Sequence, residues 1–380
     1  MPLWRGTIDP SLNAPVIARS SVRAAPQSAL PFAAPGDKKG QMRRFRSPLF
    51  LSIIALLVLV PGWSTVPRLP LLGARAVFTV EPVVLYPTAP DRRRLGALIY
   101  ERGYRLRSAD PAFGSFSSLL VDGDRFTLLS DGGNVVRFRL DSKGRVADRK
   151  FADLPDGPGI GWEKSDRDSE SMTRDPASGT IWVGFENSNA IWAYTPDFAK
   201  PLGRVTPRAM RKWPVNGGAE AMARLRDGSF IVLSEVEEWP GTKGRAVMGI
   251  RFDGDPLMAS QRGFRFGYRP PAGYKPTGIA ELPDGRLLVL NRRFRISNGF
   301  RVVLTLVDNR AIAPGKVATG QELARFAPPA LTDNFEGIAV VRESTGRTAM
   351  WIVSDDNQSS LQQSLLLKFS IDDAKLPPRR

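Results

Sequence analysis

A short phrase recurs five times along the chain. It reads Phe116-Ser117-Ser118-Leu119, Ser169-Glu170-Ser171-Met172, Ala219-Glu220-Ala221-Met222, Pro276-Thr277-Gly278-Ile279-Ala280 and Phe335-Glu336-Gly337-Ile338-Ala339. From Ser117 to Glu170, Glu220, Thr277 and Glu336 the successive intervals are 53, 50, 57 and 59 positions. Each copy leads through a turn into an apolar strand ending on an acid or amide: Ser130-Asp131, Phe185-Glu186, Ser234-Glu235, Leu290-Asn291 and Ser354-Asp355. The turns carry Asp122-Gly123, Ser178-Gly179, Asp227-Gly228 and Asp284-Gly285, pairs that supply the positive φ a tight hairpin needs. A strand–turn–strand unit repeating about every 50 to 60 residues is the signature of a β-propeller.

The segments between the turns are short and rich in branched and aromatic residues, as in Thr180-Ile181-Trp182-Val183 and Met350-Trp351-Ile352-Val353. Helical periodicity is nearly absent past residue 76, so the fold class is all-β. At about 53 residues per unit, residues 77–380 hold between five and six blades. The expectation is six. The sixth blade combines early strands (Ala76 to Leu85, Gly96 to Leu106) with the last strand, Leu365-Leu366-Leu367-Lys368-Phe369, closing the ring and hiding its free edges. Trp182, Trp192, Trp213 and Trp351 read as blade core, since buried aromatics dominate such cores.

The amino terminus is organised differently. Residues 1–41 are rich in Ala, Pro and Arg without periodicity, and read as a disordered or misassigned leader; Met42 offers an alternative start. Residues 42–64 pair a basic start, Met42-Arg43-Arg44-Phe45-Arg46, with an apolar run from Pro48 to Val60, the pattern of a signal peptide or membrane anchor. Residues 65–92 then read as linker and first strand, and 93–380 as the propeller. By this pattern the propeller is exported, either periplasmic or membrane-anchored and facing the periplasm.

Charge and missing residue types narrow the chemistry. Of the net charge of +16, residues 1–75 contribute +8 through 10 basic and 2 acidic residues; the other +8 is spread over 305 residues. No clustered basic stripe marks a nucleic-acid footprint, whereas a mildly basic surface suits small anionic molecules. The chain has no cysteine, which removes disulfides and thiol chemistry. It has no histidine either, which removes a Ser-His-Asp triad and zinc sites of the histidine type. Oxygen ligands around a hard cation remain, with carboxylates as bases and Arg or Lys as anion clamps. Calcium is the natural candidate because it accepts about 6–8 oxygens in flexible geometry.

In a propeller the innermost strands line a central channel, and strand entries and exits gather at its mouth. Glu170, Glu220 and Glu336 are therefore expected to converge there with Asp131, Glu186, Glu235, Asn291 and Asp355. Arg167-Asp168, Asn216, Asp333-Asn334 and Asp356-Asn357 enrich the same level. Carboxylates crowded together raise each other's pKa unless a cation compensates. Asp, Asn and Ser also end strands on their own account, and Arg292, Arg293 and Arg295 read equally as a solvated loop or a phosphate clamp.

Taken in order, Arg167-Asp168-Ser169-Glu170-Ser171-Met172, Asn216-Gly217-Gly218-Ala219-Glu220-Ala221-Met222, Asp333-Asn334-Phe335-Glu336-Gly337-Ile338-Ala339 and Ser354-Asp355-Asp356-Asn357 resemble the family named for esterase-like activity of phytase. The resemblance runs over roughly residues 93–371 and implies an exported propeller-like protein that hydrolyses phosphoesters or esters. The sequence departs from it in the first copy, which lacks glycines, and in the fourth, where Thr277 stands in place of an acid.

Together these readings predict a calcium-dependent hydrolase of small anionic or ester substrates. Glu170, Glu220, Glu336 and Asp355 are the expected metal ligands, with Asn216, Asn334 and Asn357 as neutral oxygens. Glu186 or Glu235 would be the general base and Arg167 the clamp on developing negative charge. The alternatives are a non-catalytic propeller that presents its channel mouth to a ligand or protein partner, and a purely structural calcium.

Overall fold

The computed structural model describes residues 69–259 and 262–379. The leader and the signal or anchor segment expected at 1–64 lie outside these residues. Among the described residues no helix is long and apolar enough to cross a membrane.

Strands β1 (Thr79–Val83), β2 (Arg94–Leu95) and β3 (Leu98–Arg107) come first. Then β4 (Phe116–Asp122), β5 (Arg125–Ser130), β6 (Asn134–Leu140) and β7 (Val146–Asp153) form a four-stranded antiparallel meander, blade I. A single helical turn, α1 (Lys164–Arg167), precedes blade II: β8 (Ser169–Arg174), β9 (Ile181–Phe185), β10 (Ala190–Tyr194) and β11 (Pro201–Val205). Blade III is β12 (Ala219–Arg224), β13 (Phe230–Glu238), β14 (Val247–Phe252) and β15 (Gly263–Arg269). Blade IV is β16 (Lys275–Glu281), β17 (Leu287–Arg295) and β18 (Gly299–Val307). The chain then makes β19 (Val317–Thr319), which returns to the outer edge of blade III in parallel with β15, before β20 (Gln321–Phe326) completes blade IV. Blade V is β21 (Asn334–Arg342), β22 (Thr348–Asp355) and β23 (Leu365–Ile371), to which β3 and then β1 add from the amino-terminal side.

The propeller therefore has five blades, not six. The early strands do pair with the last one, as expected, but they complete the fifth blade instead of building another. Dividing residues 77–380 by about 53 overcounted because β1–β3 join blade V without making a blade of their own and blade IV carries the extra strand β19 between β18 and β20. The packing is also fivefold: five separate apolar cores each join two consecutive sheets. One of them joins blade V to blade I through Trp351, Val353 and Leu366 against Phe116, Phe126 and Phe138. Trp182, Trp192, Trp213 and Trp351 are all buried in these cores.

The ring also closes through polar contacts. Asp356 accepts from Ser115 N at 2.9 Å and from Ser364 Oγ at 2.6 Å, tying the β22–β23 loop to the entry of blade I.

Candidate functional site at the channel mouth

The five repeated residues share one local geometry. In every innermost strand the pairing to the next strand slips by one residue: between Phe116 and Ser118, Ser169 and Ser171, Ala219 and Ala221, Pro276 and Gly278, and Phe335 and Gly337. The residue at each slip (Ser117, Glu170, Glu220, Thr277, Glu336) is an unpaired β-bulge residue, a device that re-aims a side chain. All five line the same narrow throat. Each next residue is small (Ser118, Ser171, Ala221, Gly278, Gly337) because the inner strands crowd together there. A Cβ on Gly278 would collide with the Glu336 carbonyl oxygen. Hydroxyls stitch adjacent blades at this level: Ser117 Oγ donates to Ser169 O at 2.6 Å, Ser171 Oγ to Ala219 O at 2.7 Å and Thr277 Oγ1 to Phe335 O at 3.1 Å.

Two residues further on, strand alternation returns to the channel. It brings Leu119, Met172, Met222, Ile279 and Ile338, all buried, into an apolar girdle. The throat at the polar ring holds only about 10 Å³, roughly one water. Beyond the girdle lies a chamber of about 440 Å³ at the opposite mouth.

A second ring lies outside the first, at the ends of the second strands. Inner-strand residues Phe116, Ser169, Ala219, Pro276 and Phe335 pair with Ser130, Phe185, Ser234, Asn291 and Ser354. The next residues are thus equivalent: Asp131, Glu186, Glu235, Arg292 and Asp355. Asn291, expected at this level, belongs one position earlier. It is fully buried and accepts from Tyr268 Oη at 2.8 Å. One position in a strand exchanges the two faces, so the channel receives Arg292 in its place.

Arg292 reaches across the mouth. Its Nη1 lies 2.8 Å from Glu336 Oε1 and 2.9 Å from Asn334 Oδ1; its Nη2 lies 2.9 Å from Glu235 Oε1 and 3.9 Å from Glu220 Oε1. Lys275 Nζ holds the other Glu235 oxygen at 3.1 Å. On the opposite side α1 presents Lys164, whose Nζ is 2.6 Å from Asp131 Oδ2 and 4.0 Å from Asp168 Oδ1. Between these cations, ligand oxygens of Asp168, Glu170 and Glu186 all lie within 4.8 Å of one another. Asn187 Nδ2 donates to Asp168 Oδ2 at 2.7 Å, leaving Asn187 Oδ1 buried with no hydrogen-bond partner.

Burial and mutual repulsion govern protonation here. Burial, then the charges of Glu220, Glu336, Asp168 and Asp131, push Glu170 well above the usual carboxylate range. Glu220 and Glu336 are raised likewise by burial and neighbouring acids, although Arg292 opposes the rise in both. Glu186 is pushed up to about 8 by burial and by Asp168. Asp355 is pushed up to about 6 by burial and by Asp131. Burial disfavours the charges of Lys164 and Arg292, but the surrounding carboxylates outweigh it and hold both above their ordinary values. The mouth is thus a set of carboxylates compensated by Arg292 on one side, with the Asp168–Glu170–Glu186 side short of positive charge.

The family model described as phytase-like, esterase-like activity of phytase, matches residues 111–358, or 248 of 380 positions. The chain belongs to the phytase-like family. No curated protein matches it. Solved structures similar to this phytase-like chain include Kuenenia stuttgartiensis hydrazine synthase, at 11% identity and TM-score 0.34, covering 69% of this chain and 64% of that one. The Myceliophteria thermophila Cps50 (Swd1) β-propeller domain is similar at 13% identity and TM-score 0.31, over 69% of this chain and 72% of that one. A chain of the nidogen/laminin complex is similar at 11% identity and TM-score 0.37, over 73% and 98%. The phytase-like chain therefore spans less than two thirds of the hydrazine synthase chain, and likenesses at these levels carry no functional argument.

Of the residues expected in the site, the phytase-like propeller gathers Glu170, Glu186, Glu220, Glu235, Asn334, Glu336 and Asp355 at the mouth. Asn334 bridges the two rings, accepting from Arg292 and donating to Asp355 Oδ2 at 3.0 Å. Asn216 is exposed in the loop before β12, with φ of 58°. Asn357 is exposed too; its backbone N–H donates to Asp355 Oδ1 at 2.6 Å, while its side chain turns to Gln362. The Arg167 guanidinium, expected as the anion clamp, bonds the Pro158 carbonyl and packs beside Gly157 and Gly161. Sequence reasoning passed over Lys164 and Asn187, and read Arg292 as a solvated loop residue or a phosphate clamp without placing it in the ring. Arg292 was hidden by the one-residue offset, and Lys164 by the single turn that carries it to Asp131.

Proposed function

We propose that this phytase-like propeller is a cation-dependent hydrolase of phosphate or carboxylic esters that works at the acidic mouth of its channel. The close approach of the Asp168, Glu170 and Glu186 oxygens carries the reading. Three carboxylates form a hard-oxygen donor set suited to calcium, which completes its shell with water or substrate. When bound, the ion supplies Lewis-acid polarisation of a phosphoryl or acyl oxygen and a more acidic water. Lys164 and Arg292 flank the donor set and orient an anionic substrate group. Asp355, with a pKa raised to about 6, is ionised at neutral pH yet basic enough to accept a proton from water. Glu235 is tied to Arg292 and Lys275 and serves to place them. The apolar girdle blocks through-passage, so substrate enters and product leaves by the acidic mouth. An amino-terminal signal or anchor would put this mouth outside the cytoplasm.

The test combines melting with turnover. Calcium added to chelated protein should raise the melting temperature saturably, because a ligand of the native state stabilises it logarithmically with concentration. Asp168→Asn should abolish that rise. Asp355→Asn should retain it while lowering ester turnover about 100-fold or more. Absence of any calcium, magnesium or manganese effect removes the cation. A cation effect without turnover on phosphate or carboxylic esters favours a binding propeller, the reading to which Arg292 already bonded to Glu235, Glu336 and Asn334 in the mouth lends weight.

A further inference from the structure

The hairpin of blade IV does not stop at the mouth. β17 runs four residues past Asn291, through Arg292-Arg293-Phe294-Arg295, and β18 accompanies it back from Gly299. At roughly 3.3 Å per residue the three residues past Arg292 make a finger about 10 Å long beyond the polar ring. Its tip is unusual for a solvated loop: Phe294 is 56% and Ile296 98% exposed. Phe294 and Phe300 are cross-strand partners with ring centroids 4.7 Å apart, which stiffens the tip. Arg293 stacks on Tyr274 at 4.6 Å, and the exposed Arg295 has no side-chain partner among the described residues. Strand direction puts the loops before each inner strand and after each second strand on this same face. Those loops carry three further exposed apolar tips, Ile160 at 85%, Val215 at 69% and Leu361 at 92%.

We infer that the finger Arg293–Arg301 and the neighbouring loop tips dock the channel-mouth face onto an anionic lipid bilayer. Separate apolar tips on different loops, spaced around a mouth, do not form the continuous patch a protein partner would bury. A bilayer takes up each tip independently, and arginines beside the tip add attraction to anionic head groups. The docking stands on the finger's own chemistry and does not require the carboxylates to hold a cation. Arg292, at the base of the finger, joins the docked element to the acidic ring.

The chain lacks cysteine, so a single Ser297→Cys places one polarity-sensitive dye at the tip of the full-length protein. On vesicles of phosphatidylcholine with phosphatidylglycerol the dye emission should shift to the blue. On phosphatidylcholine alone it should not, whatever the amino-terminal segment does. Phe294→Ser with Ile296→Ser should abolish the shift with the melting temperature unchanged. Arg293→Gln with Arg295→Gln should raise the anionic lipid concentration needed by about tenfold or more. A dye at Met258→Cys, on the opposite face, should stay in water. A tip dye that remains in water on every vesicle overturns the inference and leaves the finger to a protein partner. An equal shift on neutral lipid, or at position 258, overturns it as well.

Discussion

The guanidinium of Arg292 lies within hydrogen-bonding distance of Glu235, Glu336 and Asn334, and its side chain is only 22% exposed. Removing one partner of such a pair strands the other charges, which typically costs about 3–5 kcal/mol. Arg292→Met is therefore expected to lose stability on that order by denaturant unfolding. Arg292→Lys should lose less, because an ammonium keeps the charge but cannot bridge both carboxylates. Gly278 tests the crowding of the inner strands. Gly278→Ala drives a methyl into the Glu336 carbonyl and should cost about 1–3 kcal/mol. Gly123→Ala, at an open hairpin turn with φ of 60°, meets no neighbouring atom, so its cost should be that of the turn conformation alone.

At the scale of elements, the five bulges do most to convert a repeat into a site. A regular inner strand would pair the glutamate position with its neighbour and carry no side chain out of alternation at that level. The bulge inserts one extra residue and lets the same strand serve the throat, the small contact residue and the apolar girdle in succession. Ring closure is the other element-level property. β3 covers the outer edge of β23, and β1 covers β3. A chain lacking residues 79–107 should leave β23 as a bare edge, with Leu366 and Leu367 beside it. The expected outcome is loss of cooperative melting and elution as aggregates on size exclusion, whereas the intact chain melts once.

Over the whole molecule, the mouth makes stability depend on pH. Glu186 moves from the ordinary 4.5 to about 8, and Asp333 and Asp355 from 3.8 to about 6, burial being the first cause in each. Raised carboxylate values mean that the native state binds more protons than the unfolded chain between those limits. Stability of the cation-free protein from these groups is therefore present below about pH 4 and is lost as pH rises towards 8. The stabilisation by calcium should grow over the same interval, since binding must displace those protons. Melting curves at pH 5 and pH 8, with chelator and with calcium, check both signs; a calcium increment that shrinks with pH would contradict them. The sequence alone determined the propeller, the five repeated positions and the convergence of the glutamates, because strand alternation, turn chemistry and repeat spacing are local properties. The blade count depended instead on which edge the early strands would cover, a pairing between the two ends of the chain. Arg292 in place of Asn291 depended on a one-residue register, which the apolar run Leu287–Leu290 does not fix by itself. Lys164 reaches Asp131 only once β5 and α1 are brought together at the channel mouth, so its place in the charge balance was decided by the tertiary fold.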